Sequence, residues 1–202
     1  VRLKLKSPTT GQVLQETIKS QDSVEDIAVT DHNYQYSYND GEFFHIEYRV
    51  MEETTKAEQE VLGDPVYKDS CVECFIQPSD APYYYNFEWN AAGKLAMARR
   101  TGRNDPQDAP EEVLRSVRVE PSLGLEPFPE KELDGPWTLA AAIPCTALFG
   151  GEIDSWAGRK MKMNFFKCGD GLCTMHSITW APVSTPRPDY HRPEFFAEVE
   201  FE

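Results

Sequence analysis

No apolar run in this chain is long enough to cross a bilayer as a helix. The strongest, Trp137 to Phe149, is broken by Pro144 and falls short of the roughly 18 residues a spanning helix needs. Basic residues are scarce: 20 Lys and Arg stand against 34 Asp and Glu, a formal charge of −14. Phosphate-binding surfaces need clustered Lys and Arg, so nucleic acid is excluded as a partner, and so is docking on anionic lipid. Cysteine is sparse and odd in number, at five, so complete pairing within one chain is impossible. Helical periodicity is scarce as well. Also missing are a Gly-x-Ser-x-Gly elbow, a phosphate-cradling glycine loop and a His-Glu-x-x-His helix. The chain opens on Val1 without a basic-then-apolar signal region, which reads as a removed leader or a trimmed start.

What is present is alternation. With 40% of its 202 residues hydrophobic and 12% aromatic, the chain can build a real core, which excludes wholesale disorder. Phe44 to Val50 alternates apolar and polar residues after the Asn39-Asp40-Gly41 turn. Ser70 to Ile76 and Tyr83 to Asn90 read as strands, with Lys94 to Arg100 pairing back across Gly93 as a hairpin. Val113–Val119, Trp137–Ile143, Met161–Cys168, Ser177–Trp180 and Phe195–Phe201 are further strands. Thr101–Pro110 and the proline-rich Pro121–Pro136 read as loops, and Glu52–Leu62 as a short surface helix. Short strands between Gly, Pro and Asp turns imply an all-β fold. We expect an antiparallel β-sandwich of two sheets, jelly-roll or immunoglobulin-like, with few short helices and one domain over residues 1–202.

Period-2 geometry sorts the polar residues. Placing Ile46, Tyr48 and Val50 inward turns Arg49 outward. Placing Val72, Cys74 and Ile76 inward turns Glu73 to the opposite face, with Asp69. Phe87 and Trp89 inward group Asn86, Glu88 and Asn90, and Met161, Met163 and Phe165 inward turn out Asn164. Arg49, Asp69, Glu73, Asn86, Glu88, Asn90 and Asn164 are therefore consistent with one sheet face. Such a face can be a ligand platform, through paired directional hydrogen bonds, or a solvated or register-fixing surface. Trp89 and Trp137 read as core, Trp180 as core or rim, and Trp156 as a ligand-stacking or capping side chain. Tyr190 and His191 lie in a proline-bounded loop, where binding residues often sit.

The cysteine spacings Cys71-x-x-Cys74 and Cys168…Cys173 suggest zinc, but residues three apart on a strand face opposite ways, and zinc needs converging ligands. Cys168 and Cys173 bracket a tight turn and can be a disulfide or two free thiols. Asp154, Asp170 and Asp189 can contribute to a structural calcium site, although no spaced acidic loop occurs.

Five blocks in order carry a resemblance. They are Val66-Tyr67-Lys68-Asp69-Ser70-Cys71-Val72-Glu73-Cys74-Phe75, then Tyr84-Tyr85-Asn86-Phe87-Glu88-Trp89-Asn90, then Asn164-Phe165-Phe166-Lys167-Cys168-Gly169-Asp170. Thr179-Trp180-Ala181-Pro182 and His191-Arg192-Pro193-Glu194-Phe195-Phe196 complete the series. Over roughly Phe43 to Glu202 the chain resembles the carbohydrate-binding module family 9-like proteins, relatives of the DOMON-type sandwiches. The resemblance implies a noncatalytic β-sandwich, without cofactor, that binds a sugar or glycan end. It further implies export and work beside a glycan-degrading enzyme. Arg49, Asp69, Glu73, Asn86, Glu88 and Asn164 would hydrogen-bond the sugar, and Trp180, Tyr190 or His191 would stack on it. The founding modules carry a tryptophan where this chain has Tyr190-His191.

Three rival readings stand beside this one. Glu73 and Glu88 can be a glycosidase carboxylate pair, since such pairs lie about 5–10 Å apart. Met161, Met163 and His176 supply haem-ligand types, although the two methionines alternate in step with the core. The polar face can instead meet a protein partner.

Overall fold

The computed structural model describes residues 41–79 and 81–201, together with the strand backbones at 2–6, 13–17 and 33–39. The strands are β1 Arg2–Lys6, β2 Val13–Thr17, β3 Asn33–Asn39, β4 Phe43–Val50, β5 Thr55–Ala57, β6 Cys71–Pro78, β7 Tyr84–Asn90 and β8 Leu95–Arg100. There follow β9 Gln107–Asp108, β10 Arg118–Pro121, β11 Phe128–Lys131, β12 Trp137–Pro144, β13 Lys160–Cys168, β14 Ser177–Thr179 and β15 Ala197–Glu200. All pairings are antiparallel. The larger sheet runs β14-β13-β6-β7-β8-β9, with β15 also on β13. The smaller runs β10-β12-β4-β3.

The two sheets close on one core. Ile46, Tyr48 and Val50 of β4 and Leu139, Ala141 and Ile143 of β12 pack against Val72, Cys74 and Ile76 of β6. Phe87 and Trp89 of β7 and Met161 and Met163 of β13 complete the contact. The expected β-sandwich is thus what forms. Burying a large apolar side chain contributes about 1.5–3 kcal/mol, so this layer dominates stability. Trp89, Trp137 and Trp156 are all buried. Trp156 donates its indole N–H to the Ile143 carbonyl at 3.1 Å, which makes it a cap on the sandwich rather than a ligand platform.

Three local expectations are corrected. Val113–Val119 is not a strand: Glu111–Ser116 is a helix, α1, and β10 begins after it. Pro110 precedes two acids in the first turn, which suit the helix dipole, and Glu111 pairs with Arg115 four residues on. Glu52–Leu62 is not a helix. Thr55–Ala57 is a short strand that pairs with β11, so the stretch Pro121–Pro136 is not wholly loop either. The pairing buries Thr55 and Ala57 and leaves Lys56 only half-buried, a period of two rather than 3.6.

Candidate functional site

Alternation along β6, β7, β8 and β13 sends every second side chain to the outer face of the larger sheet, and the registers arrange these in cross-strand rows. Cys168, Cys71 and Asn90 form one row. Phe166, Glu73, Glu88 and Ala96 form the next, and Asn164, Phe75, Asn86 and Ala98 the third, beside the pair Tyr84 and Arg100. The face has an aromatic end and a polar middle. Phe75, Tyr84, Phe166 and Phe196 cluster at one end with Tyr190, while Glu73, Asn86, Glu88 and Arg100 occupy the middle. Ala96 and Ala98 place only methyl groups beside the polar row, and a cleft of about 1590 Å³ opens above them. That is roomier than a typical site for a small ligand, at about 300–1,000 Å³.

Loops wall the cleft, and buried polar groups hold them. Asp69 accepts the backbone N–H groups of Glu58 and Gln59 and the amide of Asn90 at 2.9–3.0 Å, which fixes the wall around Leu62 and Pro65. Asn90 also accepts from Ala92 and Lys94 in the β7–β8 turn, where Gly93 has φ +76°. Asn164 bonds the backbone of Ala181 in both directions. These three residues position the site and do not line it.

On the floor, Arg100 Nε donates to Asn86 Oδ1 and Asn86 Nδ2 donates to Glu88 Oε1, each at 2.8 Å. Cys168 Sγ donates to Glu73 Oε1 at 3.0 Å. Glu73 and Glu88 are directly opposed partners, 3% and 8% exposed. Burial raises the pKa of the Glu73 carboxyl well above the ordinary range, helped by Cys168 and by the Glu88 charge. Burial raises Glu88 too, opposed by its bond from Asn86 and by Arg100 and Arg103. A protonated carboxyl both donates and accepts, as hydroxyl-rich ligands require.

At the rim, the Tyr190 ring stacks on Phe166 with centroids 4.1 Å apart, and its hydroxyl lies 2.6 Å from Ser177 Oγ and donates to the Lys167 carbonyl at 3.0 Å. His191 Nδ1 lies 2.9 Å from the Tyr84 hydroxyl oxygen. Burial, with Arg100 and Arg103 nearby, lowers its imidazole to about 4, so the ring is neutral at pH 7.

The structure brings together Glu73, Asn86, Glu88, Tyr190 and His191 in the cleft. It separates two others. Arg49 lies on β4, exposed on the outer side of the smaller sheet, so its grouping with the polar face is corrected. Trp180 packs edge-on against Phe165, with centroids 5.4 Å apart, and does not line the cleft. Alternation reports which way Arg49 points but not which sheet β4 joins. Among the cleft-lining residues, Arg100 and Arg103 carry no sequence expectation, and Cys168 and His176 enter it only as zinc-or-disulfide and haem-ligand types. The Gly93 hairpin register signals the first, since it sets Arg100 on the same face as Asn86. Met161 and Met163 face the core, while His176 Nε2 lies 2.8 Å from Lys167 Nζ. The haem-type residues therefore do not converge. Cys168 and Cys173 are free thiols, one buried and one exposed.

A second buried polar group lies beyond the cleft. Lys167 occupies a core-facing position opposite Val72, yet its ammonium meets Glu52 at 2.8 Å. Glu52 also accepts the Trp137 indole N–H at 2.8 Å. Burial pushes the Glu52 carboxyl up, but Lys167, His176 and Trp137 together bring it down to about 2.

Sequence and structure comparisons bear on this geometry. The family model described as carbohydrate-binding family 9 matches residues 17–201. The chain belongs to carbohydrate-binding family 9. A solved structure of a candidate carbohydrate-binding protein from Bacteroides uniformis superposes with a TM-score of 0.81 at 35% identity, covering 85% of this chain and 78% of that one. Curated relatives are of another kind. Elongation factor P of Pectobacterium atrosepticum is 36% identical over 76 residues, 37% of this chain and 40% of that protein. Elongation factor P of Christiangramia forsetii is 51% identical over 45 residues, 22% of this chain and 24% of that protein. The chain thus spans at most two fifths of these curated relatives. Family 9 membership rests instead on nearly the whole chain and agrees with the sandwich. Among the described residues no helix is long and apolar enough to cross a membrane.

Proposed function

We propose that the cleft on the outer face of the larger sheet is the sugar-binding site of this family 9 chain, and that it binds without cleaving. The observation carrying this reading is the buried polar cluster of Glu73, Glu88 and Asn86, backed by Arg100 and bordered by the Tyr190–Phe166 stack. Planar amide and carboxyl groups bond sugar hydroxyls in pairs, while aromatic side chains pack on ring C–H faces. Glu73, Glu88, Asn86 and Arg100 would take the first role, and Tyr190 and His191 the second. Asp69 and Asn164 would act through the loops they hold.

Catalysis fits the same residues poorly. A glycosidase sets one protonated and one ionised carboxyl on either side of the scissile bond. Glu73 and Glu88 stand side by side on one flat face, project the same way and are both raised by burial. A module of this kind would be exported and would work as one domain beside a glycan-degrading enzyme.

The deciding experiment is calorimetric titration with mono- and oligosaccharides, each in native and end-reduced form. Saturable heat for at least one glycan, with no cleavage product, is the expected result. Heat lost on reduction would place the site at chain ends. A folded protein that gives no heat across the panel would sink the sugar reading, and release of sugar that stops in Glu73→Gln would make the chain an enzyme.

A further inference from the structure

Spacing along the sequence excludes a zinc site at Cys71-x-x-Cys74, and the structure agrees, because Cys74 packs in the sandwich core. The ladder assembles a different set. Cys168 on β13 is the direct cross-strand partner of Cys71 on β6, and Glu73, two residues on, shares their face. The two thiol sulfurs and a Glu73 oxygen all lie within 4.8 Å of one another, and all three residues are buried. Ligand atoms around a tetrahedral zinc, with bonds of about 2.0–2.3 Å, are separated by about 3.3–3.8 Å.

We propose that Cys71, Glu73 and Cys168 form a binding site for a thiophilic divalent cation of the zinc class, with its fourth position open to the cleft. Two sulfurs select a soft or borderline metal over calcium or magnesium. Glu73 and Cys168 line the cleft while Cys71 lies beneath them, so entry and the fourth ligand come from that side. Lys167 lies against the site, where its ammonium donates to the Cys168 carbonyl at 2.7 Å. Binding replaces thiol protons: the two leave through the cleft as two sulfur–metal bonds form, and Glu73 adds one oxygen–metal bond. Affinity must rise steeply with pH. The inference does not depend on the sugar reading, although Glu73 is common to both.

The test is titration of the reduced full chain with Cd²⁺ at neutral pH, followed by thiolate-to-cadmium charge-transfer absorbance, with Zn²⁺ as competitor and thermal melting alongside. Expected are saturation near about one equivalent, displacement by Zn²⁺ and a raised Tm. Cys168→Ser should weaken binding by at least about 100-fold and Glu73→Gln by at least about tenfold, as losses of ligands should exceed the 10–100-fold typical of outer partners. Cys173→Ser, altering the exposed thiol, should leave it unchanged. If Cys168→Ser fails to fold, Glu73→Gln and the wild-type melting shift decide. Absorbance and Tm unmoved by metal in wild type would overturn the proposal. So would a signal that survives Cys168→Ser and disappears in Cys173→Ser. Finding only three reactive thiols of five in the unfolded, unreduced chain would also overturn it, because Cys71 and Cys168 would then be a disulfide.

Discussion

Two places in this sandwich bury carboxyl groups, and they are treated oppositely. Glu52 is enclosed by Lys167, His176 and the Trp137 indole, and these partners outweigh burial to leave it ionised, with a pKa near 2. Glu73 and Glu88 face each other on adjacent strands with a thiol and an amide as nearest donors, and burial raises both. In the first, the Lys167 ammonium and the Trp137 indole meet the two Glu52 oxygens from within the fold. In the second, one oxygen of each carboxyl accepts a hydrogen bond, and both side chains line the cleft. Perturbed groups lining a cleft are the usual mark of a binding site, whereas an internal ion-pair network more often fixes structure. The difference assigns Glu52 to architecture and Glu73 to the ligand.

The largest effect that would break this distinction is at Glu52. Glu52→Gln strands the fully buried Lys167 ammonium, and breaking a buried pair costs about 3–5 kcal/mol. The pKa gap agrees. Lowering from 4.5 to about 2 corresponds to roughly 3 kcal/mol, present above about pH 4.5 and lost as pH falls toward 2. Denaturant unfolding across pH checks both. A variant as stable as wild type at pH 7 would show that the network contributes nothing.

Glu73 should respond with the opposite sign. Its folded pKa lies above the unfolded value, so its effect on stability is best at acid pH and worsens as pH rises above about 4.5. Glu73→Gln removes that penalty and keeps an acceptor for Cys168. We expect the variant to gain stability relative to wild type as pH rises from 5 to 8, with little difference at the acid end. Sugar affinity should fall at least about tenfold, equivalent to about 1.4 kcal/mol. Thermal melts at the two pH values, paired with calorimetry, read both halves. A variant destabilised at pH 8 would place Glu73 with Glu52, as structure.

Much of this was legible in the sequence, because a period of two is a local property. The apolar alternation of Phe44 to Val50 and the facing of Glu73, Asn86 and Glu88 follow from adjacent residues alone. What escaped is non-local. Lys167 holds a position that alternation assigns to the core, and only the distant Glu52 explains how an ammonium can lie there. Cys71 and Cys168 look unrelated until β13 pairs with β6. The polar composition of Glu52–Leu62 reads as a helix and hides a three-residue strand that exists only through β11. The helix at Glu111 has a local start signal, in Pro110 and two acids, which lies just ahead of the stretch read as a strand.

The smallest expected effect tests the boundary of the site. Arg49 points outward just as Glu73 does, and by sequence the two look equivalent. They are on opposite sides of the sandwich: Arg49 is flanked across the ladder by Thr138 and Asn33 on the smaller sheet. Arg49→Ala should therefore leave sugar affinity within about twofold and stability within about 0.5 kcal/mol, the usual range for a surface change. Because the core lies between the two outer faces, no side chain of β4 reaches the cleft. A tenfold loss of affinity in Arg49→Ala would mean that the sugar sits on the smaller sheet, and the assignment of Glu73, Glu88 and Tyr190 would fall with it.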